Sequence, residues 1–328
     1  MTLLVVTIVV ALVFDFTNGF HDTANAVATS VSTRALSPRL AVAIAAVANL
    51  GGAFVTTAVA KTVGKGIIDT GLANSKTVLA AVLGAIAWNL LTWWFGLPSS
   101  SSHALIGGLI GAALVQSGEQ GVEWHGIAHK VVIPALWAPT VAFVGAFLLL
   151  LGIFWAFQWM TPGLANRSFR LGQLVSGTWV AFTHGANDAQ KTMGVIFLAL
   201  VASGHAAADD PLPLWVVICA AGAISLGTWS GGWRIMRTLG QRVFQMDAPA
   251  GFAAQATSGA VIYISTHYGY PLSTTHVVSG AVMGAGATKR LSAVRWGVAG
   301  NIVMAWVLTI PAAAAVSAAV WFPVKALF

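Results

Sequence analysis

The sequence predicts an all-α polytopic membrane protein made of two inverted-topology repeats, each with a broken helix and a re-entrant helical hairpin. Three observations carry that prediction. The first is composition: of 328 residues, 57% are hydrophobic and 8% charged, with a mean hydropathy of +0.82. Several runs reach the roughly 18 to 20 apolar residues that cross about 30 Å of hydrocarbon, whereas a β-barrel would show alternating segments of about ten. The second is a polar stretch that occurs twice, as Asn18-Gly19-Phe20-His21-Asp22-Thr23-Ala24-Asn25-Ala26 and as His184-Gly185-Ala186-Asn187-Asp188-Ala189-Gln190-Lys191-Thr192. The third is a twin apolar hairpin, whose tips read Pro98-Ser99-Ser100-Ser101-Ser102-His103 and Pro271-Leu272-Ser273-Thr274-Thr275-His276.

In chain order, residues 2 to 33 read as a helix interrupted at Asn18-Gly19, because an unbroken helix of that length measures about 48 Å. Arg34 and Arg39 flank a short loop, a second helix follows over 40 to 60, and Lys61 to Lys76 bound a polar loop. The run from 77 to 96 leads into the first hairpin tip and a returning arm from 104 to 115. Uncharged Pro/Ser tips between apolar arms fit a bend kept inside the protein; an ordinary tight turn between two spanning helices is the alternative. After Glu119, Glu123, His125 and His129, the run from 131 to 159 ends the first half, and Arg167 and Arg170 mark the junction.

The second half repeats the order. Residues 171 to 202 are interrupted at His184-Gly185, Asp209-Asp210 lie in the loop, an apolar run spans 213 to 233, and a last helix covers 296 to 321. Gly107 and Gly111 recur as Gly280 and Gly284, and Leu50-Gly51 as Leu226-Gly227. Matched features in one order are an internal repeat. The units are 1-160, a short cytoplasmic junction 161-170, and 171-328. Three crossings per half invert the second copy. One face then holds Arg34, Arg39, Arg167, Arg170, Arg234, Arg237, Arg242, Lys289, Arg290 and Arg295 with one acid, Asp247, whereas the other balances five basic residues against five acidic ones. The basic face is cytoplasmic by the positive-inside rule, and both termini fall outside. The scattered basic residues argue against nucleic acid. Cys219, the only cysteine, excludes an internal disulfide.

Asp22, Asp188 and Lys191 lie in apolar surroundings, where each costs about 2.5 to 3.5 kcal/mol at a helix centre, so they mark the site. Asp22 and Asn25, like Asp188 and Lys191, are three residues apart and share a helical face. Lys191 serves either an anion or Asp188 as partner. Broken helices at inverted repeats suit a secondary transporter, with helix N-termini directed at an anion and carboxylates holding a cation. Ser100, Ser101 and Ser102, with Ser273, Thr274 and Thr275, open the returning arms and offer hydroxyls and free N–H groups to a tetrahedral oxyanion. Asp22 and Asp188 must be protonated or cation-bound beside an anion. His21 is a proton carrier or a hydrogen-bond donor, and Asp15 lines an entrance or is solvated. No HExxH or similar spacing supports a hydrolase, and a passive channel has little use for two inverted acids.

The paired segments, with Asn18-Gly19-Phe20-His21-Asp22 and His184-Gly185-Ala186-Asn187-Asp188, resemble the signature of the inorganic phosphate transporter (PiT) family, and the Pro-Ser/Thr-His tips resemble its second repeated motif. The resemblance covers nearly the whole chain and is strongest to the bacterial, low-affinity branch. It implies a symporter, not an enzyme, that carries inorganic phosphate, with arsenate as analogue, across the cytoplasmic membrane by alternating access. Asp22, Asn25, Asp188, Gln190, Lys191 and the hairpin hydroxyls are implied substrate ligands. His21, Asp22, Asn187 and Asp188 are implied for the coupling ion. That ion is H+ in the bacterial branch or Na+, held by Asp22 and Asp188, elsewhere. A sulfate permease of the same fold is the rival, no cofactor is expected, and a homodimer is left open.

Overall fold

The computed structural model describes residues 1–328, the side chain of Gln241 excepted. The regular secondary structure of the described chain is helical, with one isolated bridge between Ile68 and Val122. The first half contains α1 (Thr2–Ser32), α2 (Pro38–Gly52), α3 (Ala58–Lys65), α4 (Ser75–Trp94), α5 (Ser101–Ser117), α6 (Trp124–Ile127) and α7 (Ile133–Ala156), with a π-helical turn joining the last two. The second contains α8 (Pro162–Ala202), α9 (Leu214–Ser230), α10 (Trp233–Arg237), α11 (Ala248–His267), α12 (Thr274–Lys289) and α13 (Trp296–Leu327). Among the described residues four helices are long and apolar enough to cross a membrane. A fifth is made if Leu214–Ser230 and Trp233–Gly240, bent by 57°, count as one broken span.

Two expectations are corrected. Neither α1 nor α8 breaks: both run through Asn18-Gly19 and His184-Gly185, and α8, starting at Pro162, makes nearly all of the 161–170 join helical. The glycines are there for close approach. A Cβ at Gly19 would come within 2.9 Å of Thr228 N, and one at Gly185 within 2.5 Å of Asn49 Cα, so each lets a helix backbone press against its neighbour. The expected helix over 40 to 60 also divides, into α2 and α3.

The hairpin tips are built alike. α4 ends at Gly96 with φ +64, where Gly96 N and Leu97 N bond to Trp93 O and Thr92 O. α11 ends at Gly269 with φ +73, where Gly269 N and Tyr270 N bond to Thr266 O and Ser265 O. Both are left-handed helix ends that only glycine adopts cheaply, each followed by a proline two residues on. Ser100 and Ser273 then cap α5 and α12 by accepting from His103 N and His276 N. Residues 99–102 and 273–275 are buried.

Equivalent helices make equivalent contacts. α1 packs on α9 as α8 packs on α2, and α4 on α5 as α11 on α12. The last helix of each half lies against the hairpin of the other: α13 covers α4 and α5, and α7 covers α11 and α12. Gly107 and Gly111 receive the backbone at Ile310 and Ala314 of α13, while Gly280 and Gly284 receive Pro139 and Phe143 of α7. These i, i+4 glycines let helices approach closely where lipid leaves little hydrophobic drive. α1 and α8 cross antiparallel, since Asn18 meets Asp188 whereas Asp22, further along α1, meets the earlier His184.

Candidate functional site

The crossing of α1 and α8 and the two hairpin tips enclose the repeated polar residues. On α1, His21 Nδ1 and Asp22 Oδ1 lie 2.6 Å apart in hydrogen-bond contact, while His21 Nε2 faces Thr92 Oγ1 at 3.3 Å and Ser99 Oγ at 3.4 Å. Ser101 Oγ and Thr274 Oγ1, at the starts of α5 and α12, donate to opposite oxygens of Asp22 at 3.5 and 3.3 Å. Asn25, one helical step further, donates to Thr275 Oγ1 at 2.9 Å and Thr274 Oγ1 at 3.4 Å. Two helix N-termini thus converge on one carboxylate, and helix N-termini suit negative charge.

Asp188 stands across from it. Lys191, one turn on, donates to Asp188 Oδ1 at 2.7 Å, to Leu272 O at 2.7 Å, and to Ser102 Oγ, which itself donates to Leu272 O at 3.0 Å. Asn18 Nδ2 reaches Asp188 Oδ2 at 3.5 Å. Lys191 and Asp188 are about 1% and 0% exposed, so this ion pair sits in low dielectric and each charge depends on the other.

His184 joins the two carboxylates, with Nε2 3.6 Å from Asp188 Oδ2 and 4.0 Å from Asp22 Oδ2. Its Nδ1 meets Asn49 Oδ1 at 3.0 Å, and Asn49 in turn donates to Thr228 Oγ1 at 2.7 Å. Asp22, His184 and Asp188 each offer a ligand atom within 4.8 Å of the others, a geometry able to hold a cation. His184 and Asn18 stand in the two repeated stretches but carry no site role among the sequence expectations. Their signal was spacing: each lies one turn before its aspartate, on the face that the aspartate uses.

Not every expected residue points here. Gln190 Oε1 accepts from Val59 N at 2.8 Å and Ala60 N at 3.2 Å, and its Nε2 donates to Ala186 O, so it caps α3. Asn187 Nδ2 donates to Thr266 Oγ1 and Tyr270 O. Ser100 and Ser273 serve as caps. His103 and His276 pack edge-on against each other at 4.7 Å, joining the hairpins, and His276 also stacks on Trp306. Beside α3 a separate cavity of about 410 Å³, lined by Lys61, Lys65, Asp209 and Asp210, opens to solvent. There Lys65 donates to Asp209 at 2.7 Å and holds its carboxyl below the usual range.

A charged site buried among long apolar helices marks a polytopic membrane protein with a functional polar centre. The chain belongs to the phosphate transporter family, whose model matches residues 18–317. It is 51% identical to a probable low-affinity inorganic phosphate transporter of Mycobacterium tuberculosis over 96% of this chain and 76% of the relative. Proteins of the same description from Rhizobium meliloti and Bacillus subtilis are 48% and 43% identical, over 98% and 99% of this chain and 96% and 99% of theirs. A solved structure titled the sodium-dependent phosphate transporter superposes over 100% of both chains with a TM-score of 0.92 at 25% identity.

Proposed function

We propose that this chain is an H+-coupled symporter of inorganic phosphate in the cytoplasmic membrane. It works by alternating access between two inverted repeats, with re-entrant hairpins and both termini outside. One observation carries the reading: Asp22 lies between two histidines and the hydroxyls at the starts of two helices. The helix starts supply what a tetrahedral oxyanion needs. With both histidines neutral, Asp22 and Asp188 against Lys191 leave one net negative charge, which repels an anion. A proton on the His21–Asp22 pair cancels it, so the cation binds first and phosphate follows. Phosphate then draws on Ser101, Thr274 and Thr275, while Lys191 and Ser102 lie within one side-chain movement of it. Gln190 acts by positioning α3, and Asn187 by fixing the second tip.

The antiparallel pair Asp22 and Asp188 can serve a pathway from either side, because each carboxylate faces the other half as its twin does. Burial of the whole cluster fits an occluded stage of that cycle. A protonated phosphate can donate a hydrogen bond to Asp22 and sulfate cannot, which favours phosphate and its analogue arsenate.

Na+ coupling is the second reading, favoured by the fold's likeness to a sodium-dependent transporter. Hard cations prefer oxygen ligands, so Asp22 and Asp188 would then hold the ion and the histidines would only orient them. The deciding experiment is labelled-phosphate uptake by proteoliposomes under a proton gradient or a Na+ gradient, with excess sulfate present. Proton-driven accumulation indifferent to sulfate is expected. Na+-driven accumulation replaces the ion, sulfate competition replaces the substrate, and gradient-independent flux removes coupling altogether.

A further inference from the structure

We propose that Asp15, with Asn18 and Thr192, forms a second cation site, displaced from the Asp22–Asp188 pair toward the α1 N-terminus and suited to a monovalent cation, H+ or Na+. The inference rests on the cation-coupled reading above and extends it.

Asp15 is fully buried, and neither carboxylate oxygen has a hydrogen-bond partner. A buried carboxylate is ordinarily paired, protonated or holding a cation. Its surroundings are equally incomplete. Asn18 uses its amide nitrogen on Asp188 and leaves Oδ1 free, and Thr192 Oγ1 is likewise buried and unpartnered. Thr192 and Asn18 are side chains close enough to act on the Asp15 carboxyl, and the charges of Asp188 and Lys191 also reach it. Two carboxylate oxygens, one amide oxygen and one hydroxyl make the hard donor set that a small cation prefers.

The placement follows from helix geometry. Asp15, Asn18 and Asp22 fall at i, i+3 and i+7 on α1, and Asp188 and Thr192 at i and i+4 on α8, so each set shares one face. Because the two helices cross antiparallel, moving back along α1 from Asp22 to Asp15 matches moving forward along α8 from His184 through Asp188 to Thr192. Seven residues of rise separate Asp15 from Asp22 by about 10.5 Å, too far to share one ion and close enough for an ion to step between them. The repeat does not extend to this acid. With Gly19 on Gly185, the partner of Asp15 is Ala181, so the site exists on one side of the central pair only and gives the two approaches to the pair unequal cation affinity.

The test uses the full-length protein with Asp15→Asn and, as an uncharged near-isosteric probe of the same donor set, Thr192→Val. Phosphate uptake into proteoliposomes is titrated in Na+ at fixed pH and in pH without Na+. Thermal stabilisation of the purified proteins by the same two titrations is read in parallel. In Asp15→Asn the cation concentration for half-activation is expected to rise at least tenfold and cation-dependent stabilisation to weaken. Thr192→Val should move both by a smaller factor in the same direction, and the titration that moves identifies the cation. Wild-type cation dependence of both variants, in uptake and in stabilisation, overturns the site. Absence of gradient-driven uptake in the wild type overturns the coupling reading instead. The stabilisation titrations still decide Asp15 in that case, and Thr192→Val decides it if Asp15→Asn does not fold.

Discussion

Replacing Asp188 by Asn removes the only carboxylate that Lys191 touches and leaves the ammonium on two neutral acceptors, Leu272 O and Ser102 Oγ. Breaking a buried pair from one side costs about 3 to 5 kcal/mol, because the surviving charge stays desolvated. At roughly 2.1 cal/mol/K of unfolding entropy per residue, the 328-residue chain changes by about 0.7 kcal/mol per degree, so Asp188→Asn should melt about 4 to 7 °C lower. Adding Lys191→Met removes the stranded charge. The double variant lacks only the lysine's hydrogen bonds, worth about 1 to 2 kcal/mol, and should recover to within about 3 °C of the wild type. Scanning fluorimetry of purified protein measures this, and uptake assays should find neither variant accumulating phosphate. An Asp188→Asn protein that melts with the wild type, or a double variant no more stable than the single one, refutes the view that the pair is held by mutual charge compensation.

Ser101→Ala and Thr274→Ala each remove one hydroxyl at a helix start and should raise the phosphate KM by about tenfold, with melting nearly unchanged; an unchanged KM moves the anion elsewhere. Gly19→Ala and Gly185→Ala place a methyl against the backbone of a neighbouring helix and should destabilise by about 1 to 3 kcal/mol, seen as lower melting temperature and yield. The Lys65–Asp209 pair carries the pH dependence that can be signed. Lys65 lowers the Asp209 pKa, so any stability from the pair is complete above the ordinary carboxylate value of about 4 and is lost only as pH falls through the lower folded value. Because Asp209 is fully exposed, Asp209→Asn should melt with the wild type from about pH 5 to 8.

Most of the site was legible because its residues are exceptions to their surroundings. Asp22, Asp188 and Lys191 stand out in any apolar run, and helical spacing put Lys191 on the face of Asp188 while leaving open whether it served that acid or an anion. The two tips announced themselves by matching prolines and hydroxyls, whereas the left-handed helix ends at Gly96 and Gly269 emerged only in the structure. What spacing could not supply was long-range. Gly19 and Gly185 look like helix breakers locally; only the arrival of Thr228 and Asn49, from distant parts of the chain, makes them contact points in continuous helices. Gln190 sits in the second polar stretch like a ligand, yet its partners are the free N–H groups of α3, about 130 residues away. Asp15 was visible as an acid, but its burial and lack of partners depend on α8.

The exchange of α7 and α13 between the halves also bears on how the chain is made. The glycine-lined side of α4 and α5 is complete early in synthesis, but its cover at Ile310 and Ala314 emerges only with the final helix. Until then the first hairpin has lipid or another protein against a surface shaped for α13. Assembly therefore ends with a clasp closing from the far end of the chain. Contacts this distant form slowly and leave partly built intermediates exposed. A chain stopped before Trp296 would be expected to insert normally and still be cleared by membrane proteases, its polar centre intact in sequence but never locked shut.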